Sequence, residues 1–145
     1  MKEKTAMAKT NSAGGCQCGA VRYQTSGAPL ALYACHCRHC QKQSSSAFGM
    51  SVWFKRADIK FTGDLKFYNT AGDSGREKTC AFCGKCGTRL YHDSGADFLS
   101  VKAGTLDDTS ELKPTHHIWT KRAQPWLSPL FATSECYEGE PPEGM

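Results

Sequence analysis

Aliphatic side chains are scarce in this chain of 145 residues: nine leucines, three valines and two isoleucines, with seven phenylalanines, make 21 positions. That share lies under the roughly one-fifth below which disorder becomes a live outcome. Disorder also wants a high net charge, and the formal charge here is only +4, with aromatics at 10%. A lean core of this kind calls for staples. Long apolar runs are missing too. Nothing approaches the roughly 18 residues of a transmembrane helix, so no membrane partner is expected. The opening MKEKTAMAKTNSAGG has basic residues but no apolar stretch, which argues against a secretory signal. The expectation is a cytoplasmic protein, in a reducing compartment where clustered cysteines bind metal or act catalytically.

What the chain has in quantity is cysteine. There are nine, an odd number that cannot pair fully within one chain. If seven of them were thiolates around two zinc ions, the formal charge would fall from +4 to about +1. That weakens any case for nucleic acid built on global charge.

The segments between the cysteines read mainly as strands. Residues 1–13 form a small, polar arm, 14–134 one domain, and the EGEPPEG tail over 135–145 is expected to be disordered. Alternation and β-branched or aromatic residues predict strands over 18–25, 30–35, 48–54, 59–63, 65–70, 76–82, 88–92, 98–104 and 115–121. Gly63-Asp64 is a hairpin signal. Residues 37–43 suit a short helical turn. The fold class is mainly β, with short helical turns.

Three cysteine groups carry the chemistry. Cys16-x-Cys18 precedes a strand, Cys35-His-Cys37-Arg-His-Cys40 follows one, and Cys83-Gly-Lys-Cys86-Gly is a knuckle. A structural zinc takes four ligands and a catalytic one keeps three plus an open position. Counting half-sites joins Cys16 and Cys18 to Cys83 and Cys86. Cys35, Cys37 and Cys40 are left as a three-thiolate site with one open place. The alternative is that both sites are structural, His36 or His39 completing the second. A redox role for Cys83 and Cys86 fits less well, because their glycine-flanked setting does not open a helix. Cys80 and Cys136 have no spacing partner, and Cys80 reads as a buried, inert thiol.

The blocks GGCQCGAVRY, ACHCRHCQKQSSSAFGMSVWF and FCGKCGTRLY, followed by GTLDD and HIWTKRAQPW, resemble the glutathione-dependent formaldehyde-activating enzyme family, whose domain is shared with centromere protein V. The resemblance runs from about Gly14 to Trp126. It implies a β-tent fold, a structural zinc on Cys16, Cys18, Cys83 and Cys86, and a catalytic zinc on Cys35, Cys37 and Cys40. It also implies glutathione and formaldehyde as small-molecule partners and a carbon–sulfur lyase activity. One departure stands out: Ser45, in SSSAF, occupies a place where many relatives carry glycine.

Zinc with three thiolates carries a net −1 and is a poor Lewis acid toward a carbonyl, so thiol activation is the expected chemistry. A thiol bound there loses its proton, and the developing alkoxide needs one from His39, His36 or water, His39 being preferred. Glutathione's carboxylates suit arginine or lysine, with Arg38, Lys42, Arg56, Arg76 and Arg122 as candidates and Arg38 first. Phe48 and Trp53 are candidate pocket walls, and the resemblance adds His117. Two rivals share the residues. One is a methionine-R-sulfoxide reductase-like enzyme using Cys80 or Cys136. The other is a zinc-ribbon interaction module, for which FKRADIKF (54–61) is the best basic, aromatic patch.

Overall fold

The computed structural model describes residues 11–72 and 74–142, so most of the expected N-terminal arm and the last residues of the tail lie outside the described residues. Among the described residues the strands are β1 Asn11–Gly15, β2 Arg22–Ser26, β3 Ala31–Cys35, β4 Gly49–Lys55, β5 Ile59–Thr62, β6 Leu65–Ala71, β7 Glu77–Cys83, β8 Arg89–Asp93, β9 Phe98–Lys102, β10 His116–Ile118 and β11 Glu135–Cys136. A single α-helix, α1 Arg38–Ser44, stands among them with four short 3-10 turns. The chain is mainly β, as its alternation predicts.

The strands form two open sheets, one ordered β1-β2-β5 and one ordered β11-β10-β3-β4-β9-β8-β7-β6. Neighbours are antiparallel except at β3-β10-β11, where the chain returns in parallel. Period-2 alternation divides the large sheet into two faces. Leu32 pairs with Val52, Val52 with Val101, and Phe54 with Leu99, and all of these join Tyr23 and Ile59 of the small sheet in one core. Burying each such side chain contributes about 1.5–3 kcal/mol, which is how so few apolar residues hold two sheets together. The opposite face carries a different row, in which Trp53 pairs with Ser100, Ser100 with His92, His92 with Cys80, and Cys80 with Tyr68. Tyr33, Ser51 and Lys102 form the next row. That second face builds the functional site.

A bulge sharpens the division. Ala81 pairs with Tyr91 but Phe82 pairs with Arg89, so Leu90 is an extra residue in β8. Leu90 and Tyr91 both reach the core, and Arg89 and His92 are both left on the other face.

Three expectations change on folding. Gly63-Asp64 does not close a hairpin: β5 belongs to the small sheet and β6 to the large one, and Gly63, at φ 102°, turns the chain from one to the other. Part of the expected arm is strand, because residues 11–15 pair along β2, and Gly14 leaves room for the Tyr23 ring where a side chain would collide. The described part of the tail, 135–142, is held through its backbone despite its polar composition. Tyr137 N–H donates to His117 O at 2.8 Å, Thr120 N–H to Tyr137 O at 3.0 Å, and Trp119 N–H to Gly139 O at 3.1 Å.

Helix α1 starts and stops for local reasons. Cys37 is its N-cap, its sulfur accepting the Cys40 N–H, and Ser45 ends it at φ 54°. Left-handed backbone explains why a glycine suits that position, and serine carries a cost there.

Candidate metal and active site

Four cysteines far apart in sequence meet at one end of the shared core. Cys16 and Cys18 come from the loop after β1, Cys83 from the end of β7, and Cys86 from the turn that follows. Their four sulfurs lie within 4.8 Å of one another. Cys16 Sγ and Cys18 Sγ are 3.6 Å apart, and Cys18 Sγ and Cys83 Sγ 3.9 Å. Zinc–sulfur bonds of about 2.3 Å in a tetrahedron give edges of about 3.8 Å. These spacings fit a metal and are far too long for a disulfide. Backbone N–H groups turn toward the sulfurs: Val21 onto Cys16 at 3.2 Å, Lys85 onto Cys83 at 3.3 Å, and Cys86 onto Cys83 at 3.4 Å. Donors aimed at sulfur favour the thiolate that a metal needs.

The second cluster is local. Cys35 ends β3, Cys37 caps α1, and Cys40 lies in the first turn of that helix; all three are buried and their sulfurs lie within 4.8 Å. Among the described residues no histidine or carboxylate joins this group. Hydrogen bonds from Cys35 and Cys40 hold Cys37 well below the usual thiol range, helped by the Cys40 N–H. The hydrogen bond with Cys37 pushes Cys35 up in turn. Three donors of this kind suit a soft, borderline metal such as zinc.

Two cavities open on the second sheet face. The larger, of about 660 Å³, is lined by Cys35, Cys37 and Cys40 together with Tyr33, Trp53 and Phe98. Its aromatic wall is pre-formed, with Trp53 stacked on Phe98 at a centroid distance of 4.0 Å and Tyr33 edge-on to Trp53 at 5.7 Å. Trp119 and residues 140–142 of the tail border it, and the Trp119 indole N–H donates to Glu140 Oε1 at 3.2 Å. The smaller cavity, of about 310 Å³, lies under α1 and contains Cys40, Cys80 and a set of basic side chains.

The remaining expected residues are distributed unevenly. His39 is exposed and borders the smaller cavity beside Cys40, as does Lys42. Arg76 and Trp53 border the larger one. Arg38 donates to Gln41 Oε1 at 2.6 Å, and Arg56 pairs with Asp93 at 2.7 Å; neither lines these cavities. Arg122 lies outside them too, its carbonyl accepting from Gln41 Nε2 at 3.0 Å. Phe48 and His117 sit behind the cysteines against His36, each at 5.2 Å between ring centroids. Burial draws His36 down to about 4, with His117 contributing. In the 54–61 patch, Phe54 and Ile59 are core residues and Arg56 is paired. Cys136 is exposed on β11.

Sequence reasoning missed Lys78, Arg89, His92 and Lys102. The signal was present for Lys102: in FLSVK, Ser100 and Lys102 alternate with Leu99 and Val101, which marks a polar face inside a buried strand. Arg89 was not legible, since only the bulge brings it beside His92.

A family model for the glutathione-dependent formaldehyde-activating enzyme matches residues 11–122. A crystal structure of a Rhodobacter sphaeroides protein, a structural genomics target, is similar with a TM-score of 0.53 and 17% identity, over 86% of this chain and 98% of that one. At that identity the likeness concerns the fold alone. No curated protein matches the chain at a significant level. With most of its length matched, including all three cysteine blocks, the chain belongs to the glutathione-dependent formaldehyde-activating enzyme family.

Proposed function

We propose that the protein is a zinc-dependent enzyme of the carbon–sulfur lyase type, which joins or cleaves the adduct of formaldehyde with the glutathione sulfur. The observation that carries this reading is the three-cysteine cluster: buried, one donor short of a tetrahedral set, and bordering a 660 Å³ cavity. The reading keeps the β-tent fold, supported by the small sheet packed over the large one. Cys16, Cys18, Cys83 and Cys86 would hold a structural zinc, and Cys35, Cys37 and Cys40 a catalytic one. Zinc at the second site would lower the pKa of a substrate thiol enough for it to react as thiolate at neutral pH.

The chain's own residues do the rest. The aromatic wall of Tyr33, Trp53 and Phe98 excludes water from one side of the sulfurs. In the forward direction the substrate sulfur bonds to the aldehyde carbon, the carbonyl π pair moves to oxygen, and that oxygen takes up a proton. His92 is unsuited to give it, because burial, then Lys102, Lys78 and Arg89, hold this imidazole neutral at pH 7. His39, on the exposed rim beside Cys40, would donate it and recover a proton from water.

The experiment is a thiol and aldehyde panel on zinc-loaded protein, with a cobalt-substituted sample as spectroscopic control. Turnover of glutathione with formaldehyde is expected, along with a changed sulfur-to-cobalt charge-transfer band on adding glutathione. S-methylglutathione should leave the band unchanged. Absence of turnover across the panel, with zinc bound, would overturn the reading.

A further inference from the structure

The smaller cavity has a charge that the thiol chemistry does not account for. Among the described residues its lining holds Lys42, Lys78, Arg89 and Lys102, and no aspartate or glutamate. Among the described residues none of these four is in an ion pair with a carboxylate. Lys102 is the most telling. It is only 9% exposed, and the polar side-chain atom its amine meets is His92 Nδ1, at 3.4 Å. An ammonium group is costly to bury without a counter-charge. Burial lowers the Lys102 pKa, and the cysteine cluster offsets part of that, for Cys40 borders the same cavity and favours the charged amine. It does not supply enough. Three thiolates around a divalent ion leave −1 and a substrate thiolate brings the centre to −2, against four basic side chains in the described lining.

The position of the cavity says what kind of ligand brings the rest. Cys40, Gly72, Lys78 and His92 border both cavities, so the cationic one meets the aromatic one at the cysteine cluster. A molecule whose sulfur lies at the cluster has its neighbouring atoms within reach of the basic wall. Arg89, turned to this face by the β8 bulge, offers a planar fork suited to a carboxylate, and Lys102 offers a fixed point charge beneath it.

We propose that the smaller cavity is a carboxylate subsite: it receives the anionic arm of an acidic thiol whose sulfur lies at Cys35, Cys37 and Cys40, and Arg89 and Lys102 set the preference for acidic over neutral thiols. The inference rests on the thiol–aldehyde reading above and adds the residues that distinguish an acidic thiol from a neutral one. Volume agrees, because about 310 Å³ admits a carboxylate and its adjoining peptide unit but not a large second substrate.

The test is calorimetric titration of the zinc-loaded full chain with S-methylglutathione and with its dimethyl ester. Neither probe can ligate as a thiolate, and they differ in their carboxylates. The free acid should bind about tenfold or more tighter than the ester, the worth of a charge-assisted contact in a dry site. Arg89→Met and Lys102→Met should each bring that ratio close to one. Lys102→Met keeps the chain length while removing a buried charge, and Arg89→Met, at a half-buried position, is the second variant should the first not fold. In turnover, the same variants should raise KM for glutathione with little change in kcat and leave 2-mercaptoethanol unaffected. Equal binding of acid and ester to the unaltered protein, binding of neither, or an unchanged ratio in both variants overturns the subsite. A protein that discriminates the two probes yet turns over no thiol–aldehyde pair overturns the lyase reading and leaves the subsite standing.

Discussion

His36 Nε2 and His117 Nδ1 meet at 2.9 Å, joining the turn after β3 to β10 behind the three-cysteine cluster. Burial lowers both imidazoles, His36 to about 4. A base whose folded pKa lies below its unfolded one binds its proton first in the unfolded chain. The stability held by the neutral pair is therefore intact above about pH 6.5 and lost as pH falls toward about 4. Urea denaturation at several pH values should show the decline, with a limiting slope near 1.4 kcal/mol per pH unit for each ring. Repeating it at two free-zinc concentrations separates acid loss of metal, which depends on zinc, from imidazole protonation, which does not. A flat profile between pH 7 and 5 would contradict the assignment.

The two cysteine clusters should fail differently. Cys83→Ser or Cys16→Ser breaks a four-sulfur set that ties β7 to the loop after β1, and should unfold or aggregate the chain. Cys37→Ser should leave a folded, inactive protein, as followed by circular dichroism and activity. If Cys37→Ser is as destabilising as Cys83→Ser, the second cluster is structural and the catalytic assignment falls.

Metal content provides a third check. Gently purified, reduced protein should carry between one and two zinc ions per chain, and a chelator should remove them in two phases, the three-cysteine site first. Elemental analysis finding no zinc would refute both sites together.

Ser45 predicts a gain. At φ 54° it holds a left-handed conformation that costs an L-residue about 1–2 kcal/mol, whereas glycine adopts it freely. After the extra entropy that glycine loses on folding, Ser45→Gly should stabilise the chain by about 0.5–1 kcal/mol. A raised denaturation midpoint with an unchanged slope is the expected reading. Lower stability would mean the serine side chain makes a stabilising contact that glycine cannot.

Much of this was legible because it depends on short-range rules. Ligand counting paired Cys16 and Cys18 with Cys83 and Cys86, and alternation found β3, β4, β7 and β9 within a residue or two. What was not legible depends on which strand lies beside which. Gly63-Asp64 has a hairpin's residues, yet β5 pairs with β2 and β6 with β7. The tail has a composition that predicts disorder, but the carbonyls of Tyr137, Glu138 and Gly139 accept from Thr120, Lys121 and Trp119. In sequence Arg38 is the first candidate and Arg89 is not among them. One is spent on Gln41, and a bulge turns the other toward the thiols.

The two-faced large sheet has a consequence for how this protein can change. In β9, Leu99 and Val101 hold the sheets together while Ser100 and Lys102 face the site, so every second residue can be exchanged without touching the shared core. The cavity lining is then open to point substitution along the rows through Ser51, Ser100 and Arg89. Insertions and deletions are not tolerated in the same way. One residue gained or lost inside β9 would exchange the two sets, driving an ammonium into the core and leucine into the cavity. The same strand is permissive to spelling changes and closed to frame changes.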